Sequence, residues 1–170
     1  KSAALEKLYK NAKVFRRKDD QEKILSVGLE LEANIFFLSE KYRSLIDGGH
    51  LFDESTRLIR QQLLDKDPDN TLGKHRFVAL VDFQELAENF ELGDNPSTVV
   101  TPLVGYIKEF KEKDRENIWR MQMHIAEYLF NGNQIPQALQ YATDSYESAP
   151  EPRRESIKQA IDFMTAQIDP

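Results

Sequence analysis

Apolar residues recur at three- and four-residue spacing along almost the whole of this chain, and no stretch of any length alternates with period two. That pattern puts apolar side chains on one face of successive helices and leaves nothing that reads as a half-buried strand. Residues 2 to 17 carry such a stripe in Leu5, Leu8, Tyr9, Ala12 and Phe15. Asp19 or Asp20 is placed to cap a second helix, expected to run to about Ile46 through Ile24, Leu31, Ile35, Leu38 and Tyr42. Gly28 lies inside that helix at a cost of about 1 kcal/mol relative to alanine, which predicts close packing there.

The remaining punctuation is as regular. "DGGH" at 47 to 50 supplies glycines able to take positive φ and end a helix. Asp53 is expected to cap the next helix, and "DKDPDN" at 65 to 70 is the best internal boundary. A helix bearing Ala79, Phe83, Leu86 and Phe90 follows, then a second break, "GDNPS", at 93 to 97. Thr101 before Pro102 looks like a cap with proline in the first helical position, and Asp114 is expected to cap the helix that reaches Phe130. The last helix is expected from Pro152 to Ile168. The chain is therefore expected to be all-α, with about eight helices and short links that favour antiparallel neighbours, as stacked hairpins or an irregular bundle. It reads as one helical domain, with 1–64 and 71–170 as its natural subdivision.

Composition narrows the function classes. Ten Phe and six Tyr supply bulky core material, which argues against disorder. A formal net charge of −6 argues against a nucleic-acid binder. No cysteine occurs, which removes disulfides, cysteine nucleophiles and thiolate metal sites from this chain and leaves the compartment open between cytoplasm and periplasm. The longest apolar run, "ANIFFL" at 33 to 38, is far short of a membrane span. A start at Lys1 and an end at Asp169-Pro170 read as a piece of a longer protein or a mature form.

The final 50 residues resemble a tetratricopeptide repeat, a helix–turn–helix unit of 34 residues. Ile125, Ala126 and Leu129 match the large, small and large positions of its first helix, and Asn133 stands at the turn where the family prefers Gly, with Gly132 one residue early. Ala138 matches the signature small residue of the second helix, Ser145 another small position, and Pro150 the terminating proline. Ala160 and Phe163 repeat the Ala126 and Leu129 pair 34 residues on. Gln122 departs from the family's frequent tryptophan, and the pattern is lost one period upstream, at Leu92 and Val104.

The resemblance implies a right-handed superhelix whose groove binds a protein or peptide, or another domain of the same chain, without catalysis or cofactor. Carried over by position, the groove face comprises Arg120, Met123, His124, Glu127 and Phe130, with Arg154, Ile157, Lys158, Ile161 and Met164 from the last helix. Arg120 and Arg154 would then stack and receive a carboxylate. The alternative is a helical regulatory or sensor domain that dimerises or binds a small ligand.

Catalytic and metal motifs are missing from the sequence. His124 and Glu127 share a helix face but are too few for a metal site, and neither H-E-x-x-H, G-x-S-x-G, a Walker A loop nor a dinucleotide fingerprint occurs. The first helix is basic through Lys7, Lys10, Lys13, Arg16, Arg17 and Lys18. That charge reads as a solvated face suited to a helix C-terminus, with contact to a phosphate-bearing surface as the functional alternative.

Overall fold

The computed structural model describes residues 1–91 and 95–168. Among them it contains ten α-helices and no strand. The chain divides into two compact units, Lys1–Pro68 and Asp69–Pro170.

The first unit packs α1 (Ser2–Val14), α2 (Lys18–Leu31), α3 (Ile35–Asp47) and α4 (Glu54–Asp65) in chain order. Helix α1 ends because Arg16 turns left-handed, φ +56°, while Arg17 N–H donates to the Ala12 carbonyl at 2.9 Å. The helix expected to run unbroken from Asp19 to Ile46 is instead two helices. Asn34 breaks it: its Oδ1 accepts from Phe37 N at 3.0 Å, an N-cap for α3. Its Nδ2 donates to Ser2 Oγ at 2.7 Å and Glu6 Oε1 at 3.1 Å. The break folds α3 back so that the fully buried Phe37 ring lies against Gly28, where any Cβ would stand 2.5 Å from Phe37 Cε1. Gly28 thus trades helix propensity for a notch that admits an aromatic ring. Gly49, φ +78°, supplies the left-handed residue after α3.

The second unit contains α5 (Lys74–Glu88), α6 (Pro96–Val99), α7 (Thr101–Phe110), α8 (Arg115–Asn131), α9 (Ile135–Ser148) and α10 (Glu151–Thr165). Leu92 and the start of the "GDNPS" break fall at 92–94, outside the described residues. Within that break Asn95 Oδ1 accepts from Ser97 N at 3.0 Å and caps α6, with Pro96 in its first position, whereas Thr101, expected to cap the helix beginning at Pro102, is the first residue of α7, which has no side-chain cap. Helices α8 and α9 form the most extensive pair, and Ala126, Ala138 and Ala142 are wholly buried between large residues such as Ile125 and Leu129. Polar groups seal the crossing. Ser145 Oγ donates to the Trp119 carbonyl at 2.8 Å, and Ser148 Oγ donates to Gln122 Oε1 at 2.5 Å. Gln122 therefore fills its position by bridging two helices.

The 34-residue echo does not carry through to packing. Phe163, the counterpart of the buried Leu129, is 60% exposed, whereas α10 buries Ile157 and Met164. The inward face of α10 is thus rotated away from the repeat register. The early glycine has a packing reason as well. Asn133 takes the left-handed conformation, φ +58°, while a Cβ on Gly132 would meet Pro96 Cγ at 2.7 Å. Gly132→Ala is therefore expected to destabilise by about 1–3 kcal/mol through overpacking against a rigid ring. Asn133→Gly should stay within about 1 kcal/mol of the parent, because asparagine already tolerates that backbone region. Urea unfolding of the two variants distinguishes a glycine kept for space from one kept for φ.

Candidate functional site

The ten residues assigned to a groove by position fall into distinct environments. Met123, Phe130, Ile161 and Met164 belong to the packed core of the second unit, and Ile157 is buried. His124, Glu127 and Lys158 are exposed. Arg120 is exposed as well and lies over the ring of its neighbour Trp119, 5.2 Å from the centroid. Arg154 turns to the end of α9, where Nε donates to the Ala149 carbonyl at 3.1 Å and the guanidinium lies 5.7 Å from the Tyr146 centroid. Each guanidinium is thus engaged by its own surroundings. Arg154 satisfies a carbonyl left open at a helix C-terminus.

Two polar constellations were not expected from the sequence. The first lines a cleft of about 310 Å³ among α1, α2 and α3. Tyr9 forms its floor and hydrogen-bonds Glu40, and Lys13 Nζ lies 2.8 Å from Glu40 Oε2. Lys18, Arg43, Glu22 and Asp47 stand around it, so three cations face three carboxylates. Burial, then the charge of Glu40 and its hydrogen bond, then the charge of Asp47, push the Tyr9 phenol up to about 12. Such a phenol donates hydrogen bonds at neutral pH and is neither a base nor a nucleophile. No local motif signals this cleft, because Lys13 and Glu40 are 27 positions apart on different helices.

The raised phenol gives an alkaline prediction. Folded Tyr9 holds its proton more tightly than the unfolded chain, so its contribution is full below the ordinary value near 10 and is lost as pH climbs toward about 12. Ultraviolet titration of tyrosinate should show Tyr9, Tyr106 and Tyr141 ionising late, since all three are raised by burial first. Tyr9→Phe should remove one late-ionising group. A titration with every tyrosine ionising near pH 10 would contradict the assignment.

The second constellation ties α5, α7 and α8 together. Asn70, in the left-handed region at φ +57°, accepts on Oδ1 from His75 N at 3.0 Å, and its Nδ2 donates to Tyr106 Oη at 2.7 Å. Tyr106 Oη and Arg76 Nη1 both donate to Asp114 Oδ2, and Asn117 Nδ2 donates to Asp114 Oδ1 at 2.7 Å. Asp114 does occupy the cap position of α8, but its carboxylate makes no capping bond. Burial raises the Asp114 carboxyl, and the hydrogen bonds from Tyr106, Asn117 and Arg76 outweigh it, so the group lies below its ordinary value. Asp114 acts here as a half-buried counter-ion and hub.

Neither constellation contains an electron carrier. Among the described residues no group of three or more His, Cys, Asp or Glu is placed to hold a metal ion, and no helix is long and apolar enough to cross a membrane.

No family model matches the chain, and no solved structure matches it. Over 165 residues it is 35% identical to a Chlamydia pneumoniae protein named thioredoxin-related protein DsbJ. The match takes in 96% of this chain and 47% of that protein, so the chain spans about half the length of the curated relative it matches. This finding overturns the reading as a tetratricopeptide scaffold module. The likeness extends over almost the whole chain, where the repeat-like pattern covers only the last 50 residues, and it leads to a thioredoxin-related protein. The misleading signal was physical: small residues at a tight helix crossing produce the same alanine spacing in any α-hairpin.

Proposed function

We propose that this chain works in thiol–disulfide chemistry, as the cysteine-free helical part of a thioredoxin-related system. The likeness over 96% of its length to a protein so named carries the reading. Exchange requires a thiolate that attacks a disulfide sulfur through a mixed disulfide. This chain has no cysteine, so it supplies neither the attacking nor the leaving sulfur. The electrons therefore move on cysteines elsewhere, in a segment joined to this one or in a protein that accompanies it. The chain itself is not the redox catalyst, and its helices form the non-redox side of the assembly.

The test begins with the natural product isolated from its host by antibodies raised against this chain. That material is expected to reduce or oxidise a disulfide substrate, and thiol alkylation is expected to abolish the activity. The recombinant 170-residue chain alone should show no exchange at any concentration, with or without alkylation. A natural product without alkylation-sensitive exchange activity would overturn the proposal.

A further inference from the structure

We infer that the outer face of the α1–α2 hairpin seats the protein on an anionic lipid surface. On α1, Leu8 and Phe15 are seven positions apart and share one side of the helix. On α2, Ile24, Val27 and Leu31 follow the same three- and four-residue spacing. A cleft of about 370 Å³, lined by Leu8 and Phe15 from one helix and Ile24 from the other, places the two stripes side by side. Four of these side chains project into solvent, Phe15 at 69% exposed, Leu31 57%, Leu8 53% and Val27 44%, while Ile24 is half-buried and anchors the stripe to the core beneath.

Charge identifies the occupant. Residues 1 to 23 hold eight Lys or Arg and four Asp or Glu, in a chain that holds 23 and 29 in all. The basic excess is thus confined to the hairpin that bears the apolar face, and the rest of the molecule is acidic. Lys7, Arg16 and Lys23 are exposed around that face, and Arg17 lies over the Phe15 ring at 5.8 Å. Long basic side chains beside exposed aromatic and aliphatic groups suit the headgroup boundary of an anionic bilayer, with the protein lying on it.

A partner helix fits the same face less well. Asn11, Arg17, Asp20 and Lys23 line the cleft together with the apolar residues, and a helix seated there would desolvate all four. The hydrated headgroup layer leaves them wet. Asp20 is the unfavourable charge on this face, and Arg17 Nη1 stands 3.9 Å from its carboxylate.

Co-sedimentation of the whole chain with vesicles tests the inference. Vesicles of mixed phosphatidylglycerol and phosphatidylcholine are expected to bind at least about ten-fold more protein than phosphatidylcholine alone, and added salt should weaken that binding. Leu8→Asp with Phe15→Asp should remove the binding while circular dichroism retains its helical signal. Lys7→Glu with Lys23→Glu, two exposed positions with no packing role, should abolish the preference for anionic lipid. Phe163→Asp in the second unit should change nothing. Equal binding to both vesicle types, or binding indifferent to the Lys7 and Lys23 substitutions, overturns the inference. So does capture of an acidic amphipathic peptide without vesicle binding.

Discussion

Phe37→Ala is expected to cost about 3–5 kcal/mol of folding stability, the range for losing a buried aromatic ring. Phe37 is wholly buried, its ring lies 5.3 Å from that of Phe36, and Phe36 meets Tyr9 edge-on at 5.8 Å. Total domain stabilities are on the order of 5–15 kcal/mol, so this one substitution removes a large share of what holds the first unit together. Its sharper use is in a cycle with Gly28. Gly28→Ala alone should destabilise, because its new Cβ would stand 2.5–2.7 Å from three atoms of the Phe37 ring. With Phe37 already alanine the clash is gone, and Gly28→Ala should turn stabilising by up to about 1 kcal/mol through helix propensity. Urea midpoints of the four proteins measure the coupling. Equal destabilisation by Gly28→Ala in both backgrounds would show that the notch is not built for the ring.

The second large effect is expected at Asp114. Asp114→Ala leaves Arg76 and the Tyr106 hydroxyl without their shared acceptor. Removing one partner of a buried pair costs about 3–5 kcal/mol. The two side chains keep 29% and 16% of their surface exposed, which brings the expectation to about 2–4 kcal/mol. Tyr106→Phe should cost about 1–2 kcal/mol in the parent and much less once Asp114 is alanine, because the hydroxyl has then lost its acceptor. Acid adds an independent check. Folded Asp114 holds its proton less tightly than the unfolded chain. Its contribution is therefore full above the ordinary carboxylate value near about 4 and is lost as pH falls through the depressed folded value. The gap in stability between parent and Asp114→Ala should narrow in acid. A gap that stays constant from neutral pH downward would mean that the Asp114 charge is not what the network uses.

Particular residues show how far the sequence could be read. Helices were legible because their apolar period survives in one dimension. Gly28 was legible as a close contact, because glycine inside a helix needs a reason. The break at Asn34 was not, since Leu31, Ile35 and Leu38 keep the helical period across it and the groups that hold Asn34, Ser2 and Glu6, lie about thirty positions away. Asp114 was legible as a cap position but not as a hub, because Tyr106 and Arg76 reach it through tertiary structure. The cleft above Tyr9 depends in the same way on a lysine and a glutamate from separate helices. Function was the least legible. The alanines of the α8–α9 crossing carry information about how two helices approach and none about what the protein does. The finding that bears on function, likeness to a thioredoxin-related protein, has no motif in a chain without cysteine.

The chain-order packing within the units has a consequence for folding. In the first unit α1 meets α2, α2 meets α3 and α3 meets α4, and in the second α7, α8, α9 and α10 follow one another in the same manner. Contacts between sequence neighbours close short loops, so folding is expected to be fast for the chain length. During synthesis each helix of the first unit meets its partner as soon as the next one emerges. Lys1–Pro68 can therefore bury Phe37 and Leu38 before the ribosome has delivered α8, the longest helix of the second unit.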